Sequence, residues 1–234
     1  MNINYSRNLV PYVAKDQFDD IAEEFLNKYC PEALHNPMEV PINRIASDRM
    51  NLNLEFVNIT DDLSVFGQIF FTDGSAEIYK RDTDEIVLVK VKEGTIFIDP
   101  DVFLKRNIGC VRNTIAHECV HWFKHRPYHM MQTLYNKKMA VASKCPTEEK
   151  SGNNIKWADE DWMEWQANGI APKILMPKEM FKIIAEDNNY LKRYLLNLHD
   201  SGIYFELAVN EISKFFNVSK QSVTIRLKEL GYIT

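Results

Sequence analysis

Five consecutive residues, His117-Glu118-Cys119-Val120-His121, constrain this chain more than any other feature, because they lie inside a run over residues 110–125 that reads as helix. Residues four apart on a helix share one face, about 6 Å apart along the axis, so two imidazole nitrogens can converge on one ion at roughly 2.0–2.1 Å. Two imidazoles favour zinc over magnesium, which seeks hard oxygen ligands. A catalytic zinc needs a third protein ligand and leaves its fourth position to water, whose pKa the ion lowers to about 7. Glu118, one step round the helix, faces the neighbouring cleft and is the carboxylate placed to take that proton and pass it to a leaving group. The bland alternative, two surface histidines beside a carboxylate on a solvated face, is outweighed by what lies downstream.

The third ligand is open on spacing alone. His125 continues the same face, but about 12 Å along the axis from His117, which suits a supporting or surface group better than a ligand. The metzincin extension is excluded, since it needs glycine at 124 and histidine at 127, where this chain has Lys124 and Pro127. The next long helix, over residues 158–171, offers Asp159, Glu160, Asp161 and Glu164. Periodicity does not choose among them. Trp162 and Trp165 flank position 164 and read as core that walls the site, and Pro172 removes the hydrogen bond to the Asn168 carbonyl, predicting a kink there.

The rest of the chain supplies the scaffold. Residues 16–29 place Phe18, Ile21, Ala22, Phe25 and Leu26 at helical spacing, and a short helix is expected over 42–50. Residues 54–59, 66–71, 76–81, 85–91 and 95–99 are short, β-branched or aromatic, and separated by turn formers, which predicts a small, mostly antiparallel sheet. Asp73-Gly74 and Lys92-Glu93-Gly94 read as its hairpin turns. Asp99-Pro100 reads as a helix cap, the helix after it breaks at Asn107-Ile108-Gly109, and Pro127 ends or redirects the one that follows. Further helices are expected over 128–142 and 178–185, and the polar segment 143–154 reads as a loop and a candidate lid.

Composition narrows the setting. A net charge of -5 gives no global field for phosphate, so nucleic-acid binding would need a local patch. The first 20 residues lack the basic-then-apolar pattern of a secretory signal, and no apolar run approaches the roughly 18 residues that span a bilayer. Cys30, Cys110, Cys119 and Cys145 show no C-x-x-C spacing, which argues against a disulfide scaffold or a cysteine zinc knuckle, with Cys119 a buried filler. A reduced, cytoplasmic setting with no membrane contact is the expectation.

TIAHECVHW, followed by EWQANGIAPKILMP from Glu164 onward, is similar to the ImmA/IrrE metallo-endopeptidases, whose second motif reads approximately E-x-x-A-N and then L-M-P. The likeness runs from about Pro41 through GTIFIDPD to Pro177, and the closing VSKQSVTIRLKELGY resembles the family's C-terminal segment. It implies an α+β fold: a zincin-like core over 41–200 with the sheet on the HExxH helix, a helical extension over 1–40, and an all-helical, helix-turn-helix-like segment over 201–234. It implies Zn2+ as cofactor, His117, His121 and Glu164 as ligands and Glu118 as general base. Asn168, four residues past Glu164, would orient that carboxylate, while His125, Tyr128 and His129 are candidates for a supporting or oxyanion-stabilising role.

The activity implied is cleavage of a specific helix-turn-helix repressor, relieving repression of a mobile element or a stress response. The peptide would lie beside a sheet edge, the strand over 95–99. In the C-terminal segment Ser219 is a plausible helix cap, and Lys214, Lys220, Arg226 and Lys228 against Glu211 and Glu229 leave a net charge too thin to grip DNA. The competing reading is a non-catalytic regulator that binds DNA or an antitoxin-like partner and holds a structural metal. Oligomeric state is left open.

Overall fold

A computed structural model describes residues 5–132, 140–146, 157–196 and 201–234. The chain opens with α1 (Phe18–Tyr29), whose apolar stripe of Phe18, Ile21, Ala22, Phe25 and Leu26 is buried as its spacing predicts. The short α2 (Ile42–Arg44) continues as a π turn over Ile45–Arg49. Five strands follow: β1 (Asn53–Phe56), β2 (Val65–Phe70), β3 (Gly74–Lys80), β4 (Glu85–Val91) and β5 (Thr95–Ile98). Then come α3 (Asp101–Lys105), α4 (Ile108–Val120), a π turn over His121–His125, α5 (Arg126–Gln132) and β6 (Ala142–Pro146). The C-terminal half is helical: α6 (Asp159–Leu175), α7 (Lys178–Asp187), α8 (Asn189–Leu195), α9 (Ser201–Phe216) and α10 (Lys220–Glu229). The fold is α+β, with helical segments at both ends of a sheet-bearing core. Among the described residues no helix is long and apolar enough to cross a membrane.

The strands form two sheets where one was expected. The larger has the order β1-β5-β2-β6, with β1 parallel to β5 and the other pairs antiparallel, while β3 and β4 form a separate hairpin. Asp73-Gly74 and Lys92-Glu93-Gly94 are therefore not hairpin turns. They are the two stalks by which that hairpin leaves and rejoins the larger sheet. The Asp73 carboxylate ties them together by accepting from the Glu93 N–H at 2.9 Å and Lys92 Nζ at 2.8 Å, and Gly94 takes a φ of +80° that a side chain would resist. The true hairpin turn lies at residues 81–84, closed by Tyr79 Oη donating to Asp84 at 2.6 Å.

Three other expectations change. Residues 142–146, expected as helix end and loop, pair with β2 as an edge strand, and residues 147–154 of the expected lid lie outside the described residues. The break expected at Asn107-Ile108-Gly109 falls slightly earlier, at Arg106-Asn107, and Ile108 and Gly109 already belong to the next helix: Asn107 caps α4 through the Cys110 N–H at 3.0 Å, and Gly109 lets the Val218–Ser219 backbone lie directly on the helix. Pro127 does not end the helix either, because it occupies the first turn of α5, where a missing donor costs least. α6 likewise runs through Pro172 to Leu175.

One apolar core joins these parts. α4 lies between the larger sheet and α6, and residues from α1, α4, α6, α9 and α10 share a single buried cluster. Phe18 of α1 packs on Trp165 at 4.7 Å between ring centres, over Gly169, where any Cβ would strike the Phe18 ring. The helix-turn-helix unit, with Ser219 capping α10 through the Ser222 N–H at 3.0 Å, docks on this core. Fully buried Arg226 reaches Asp19 of α1 at 2.5 Å, and Lys173 reaches Glu229 at 2.7 Å.

Candidate metal centre

Helix α4 carries His117 and His121 one turn apart, both fully buried. Their Nε2 atoms approach to 2.9 Å, and Glu164 of α6 brings Oε2 to 3.0 Å from His117 Nε2 and Oε1 to 3.3 Å from His121 Nε2. Two imidazole nitrogens and a carboxylate aimed at one point are a donor set that could hold a metal ion. Burial by itself would raise the Glu164 carboxyl, but the imidazoles of His121 and His117 that flank it hold it well below the ordinary carboxylate range. Burial pushes His121 downward, toward the neutral form a ligand needs.

The four acidic candidates on α6 separate cleanly. Asp159 accepts from Asn8 at 2.6 Å, Glu160 accepts from Tyr128 Oη, and Asp161 caps its own helix through the Ala158 N–H at 2.8 Å. Only Glu164, a turn further on, reaches the histidines. A strand residue holds it there: Ser143 Oγ of β6 donates to Glu164 Oε1 at 2.8 Å.

Glu118 is fully buried beside this group, and among the described residues neither carboxylate oxygen has a hydrogen-bond partner. Burial, and then the Glu164 charge, raise its carboxyl well above the ordinary range. A buried carboxylate without partners is costly unless something else uses it. The space exists because Gly67 of β2 has no side chain: a Cβ there would lie 2.5 Å from Thr114 Cγ2 and 3.0 Å from Glu118 Oε1. From β6, Cys145 brings its sulfur within 4.8 Å of ligand atoms of both His117 and Glu118.

The remaining candidates have other tasks. Asn168 does not touch Glu164. It lines a small cavity with Asn113, Ser222 and Arg226, on the α10 side of α6. Tyr128 is buried with Val10 and Met163 and spends its hydroxyl on Glu160. His129 stacks on Phe71 at 4.0 Å, and burial pushes it down to about 3. His125 is no surface group: it is fully buried, with Nδ1 3.0 Å from His121 Nδ1 and Nε2 3.1 Å from Gln166 Oε1. The π turn puts it there. Four residues overshoot one α turn and undershoot one π turn, so His125 swings back into line with His117 and His121.

Sequence reasoning missed Ser143, Cys145, Gly67 and Gln166. Gln166 stood inside the EWQAN string, one of its variable positions; Ser143 and Cys145 stood in a segment too polar to read as strand. The strand over 95–99, expected at a sheet edge, is interior as β5, flanked by β1 and β2; on the side of the site the edge is β6.

Among known families, the model described as the IrrE N-terminal-like domain, Peptidase_M78, matches residues 69–228. That span includes the end of β2, then α4, β6, α6 and most of α10, and hence His117, Glu118, His121, Ser143, Cys145 and Glu164. No curated protein matches the chain.

Proposed function

The chain belongs to the Peptidase_M78 family of IrrE N-terminal-like domains, and from that premise we propose that it is a zinc-dependent endopeptidase acting on a specific helix-turn-helix repressor. The observation that carries the reading is the convergence of His117 Nε2, His121 Nε2 and Glu164 beside the buried, unpartnered carboxylate of Glu118. His117, His121 and Glu164 are the residues that would hold the ion. Zinc bound there would supply Lewis acidity, polarising the scissile carbonyl and lowering the pKa of water. Glu118 takes the proton of the attacking water and delivers it to the leaving amine. Ser143 keeps Glu164 oriented throughout.

An extended peptide enters along the free edge of β6, whose Ser143 and Cys145 face the centre while Ala142 and Lys144 face the other way. The C-terminal unit supports the core instead of gripping DNA. Of its bases, Arg226 is buried against Asp19 and out of reach of phosphate. The repressor as substrate is what the family resemblance implies.

The test uses the full chain and the repressor encoded beside it. Elemental mass spectrometry is expected to give about one zinc per chain, lost in His121→Ala, and Glu118→Gln is expected to retain zinc while abolishing cleavage. Continued cleavage by Glu118→Gln would remove Glu118 from the role of base. The competing reading, a structural metal in a non-catalytic regulator, needs a fourth protein ligand, and Cys145 is the residue near enough to supply one. A thiolate charge-transfer band in the cobalt-loaded chain would favour it.

A further inference from the structure

His121 has a neighbour at each ring nitrogen: Nε2 faces His117 and Glu164, and Nδ1 lies 3.0 Å from His125 Nδ1. A hydrogen bond between two imidazole nitrogens needs a proton on one and a lone pair on the other, so the tautomers of the two rings are coupled. The far end of the chain of contacts fixes which way the protons run. Gln166 Nε2 lies 2.8 Å from the Pro11 carbonyl, which only accepts, so the Gln166 amide must turn its NH2 toward Pro11 and its oxygen toward His125. That oxygen, 3.1 Å from His125 Nε2, also only accepts, so His125 carries its proton on Nε2. An imidazole whose one proton sits on Nε2 presents a lone pair at Nδ1, the atom that faces His121. His121 must then donate from Nδ1. Its Nε2 lone pair is thereby left free, on the side where His117 and Glu164 converge.

We propose that His125 and Gln166 are positioning residues of the metal centre: with the Pro11 carbonyl as terminal acceptor, they hold His121 in the one tautomer and ring orientation that can bind metal through Nε2. The inference rests on the metal reading above. It departs from the common arrangement, in which a carboxylate or backbone carbonyl directly accepts the second proton of a ligating histidine. Here a second histidine and an amide relay the contact to a backbone carbonyl 155 residues from Gln166 in sequence. No charge is added beside the ion, and the segment around Pro11 becomes part of the support of the centre. Metal binding and docking of that segment are consequently linked, each favouring the other.

The deciding measurement is nitrogen-15 NMR of the full, zinc-loaded chain, which reads the tautomers without any substitution. Protons on His121 Nδ1 and His125 Nε2, with a scalar coupling between the two Nδ1 atoms, are expected; a proton on His125 Nδ1 would overturn the relay. Two variants then test its effect by chelator competition. Gln166→Met removes both contacts and is expected to weaken zinc binding about 10- to 100-fold. Gln166→Glu keeps an acceptor for His125 while losing the donor to Pro11, and is expected to weaken zinc binding clearly less than Gln166→Met does. A folded Gln166→Met chain with wild-type zinc affinity would overturn the proposal, as would equal losses in both variants, which would trace the effect to the Pro11 segment alone. A wild-type chain that bound no zinc would instead remove the metal reading, and the relay with it; wild-type binding with either failure above removes only the relay.

Discussion

Replacing Gly109 by alanine tests how tightly the C-terminal unit is seated on the metal-bearing helix. A Cβ at that position would lie 2.5 Å from both Ser219 N and Val218 C, and 2.8 Å from Val218 Cα. All three are backbone atoms that cannot rotate away. Ordinary contact begins at 3.4 Å, so the turn between α9 and α10 would have to retreat by about 0.9 Å. Overpacking of this kind costs about 1–3 kcal/mol. Alanine returns at most about 1 kcal/mol in helix propensity, and less here because Gly109 is the second residue of α4. A net loss of about 1–2 kcal/mol should lower the melting temperature by roughly 3–6 °C in a chain of this size. Gly202, on α9, provides the control: a Cβ there meets nothing within 4 Å, so Gly202→Ala should raise the melting temperature by about 2 °C. Urea and thermal unfolding of both variants give the comparison. If Gly109→Ala melted at or above the wild type, the backbone contact would not be part of the native packing.

Gly67→Ala presses on Thr114 and on Glu118 Oε1, and is expected to reduce cleavage by about tenfold or more while zinc content stays at the wild-type level; full activity would show that Glu118 is not confined by β2. Acid stability of the metal-free chain should report on His129. Its folded pKa, about 3, lies below the unfolded value of about 6.5, so below pH 6.5 the unfolded chain binds more protons, and its contribution to stability, full above that pH, is lost as pH falls toward 3. Between pH 6.5 and 5 this amounts to about 2 kcal/mol, and His129→Gln should flatten the urea-unfolding profile by that amount. Identical profiles for the two chains would contradict it.

The parts legible in the sequence are those written in local spacing. Four-residue spacing marked His117 and His121, β-branched runs marked β1 to β5, and Ser219 marked the start of α10. The choice of Glu164 over its three acidic neighbours came from the resemblance, because all four positions share one helix and only tertiary placement separates them. Strand partners were not legible: the hairpin of β3 and β4 departs and returns through turns that look, residue by residue, like hairpin turns, and only the bond from Asp73 to Glu93 shows that they stand side by side. β6 escaped notice because Ser143, Lys144 and Cys145 carry little strand preference and owe their conformation to β2. The line from His117 through His121 to His125 depends on a π turn, whose backbone register no side-chain pattern announces.

The bond between Arg226 and Asp19 spans 207 residues, and its consequence is one of time. Contacts of such separation close large loops, and closure entropy must be met before they return any stabilisation. α1 can collapse early onto α4 and α6, but its carboxylate acquires the guanidinium only after α10 has been synthesised and docked. The latch therefore belongs to the last stage of folding, and substitutions in it should mainly accelerate unfolding while leaving the folding rate nearly unchanged. The lifetime of the assembled centre is then governed by a pair of residues remote from its chemistry.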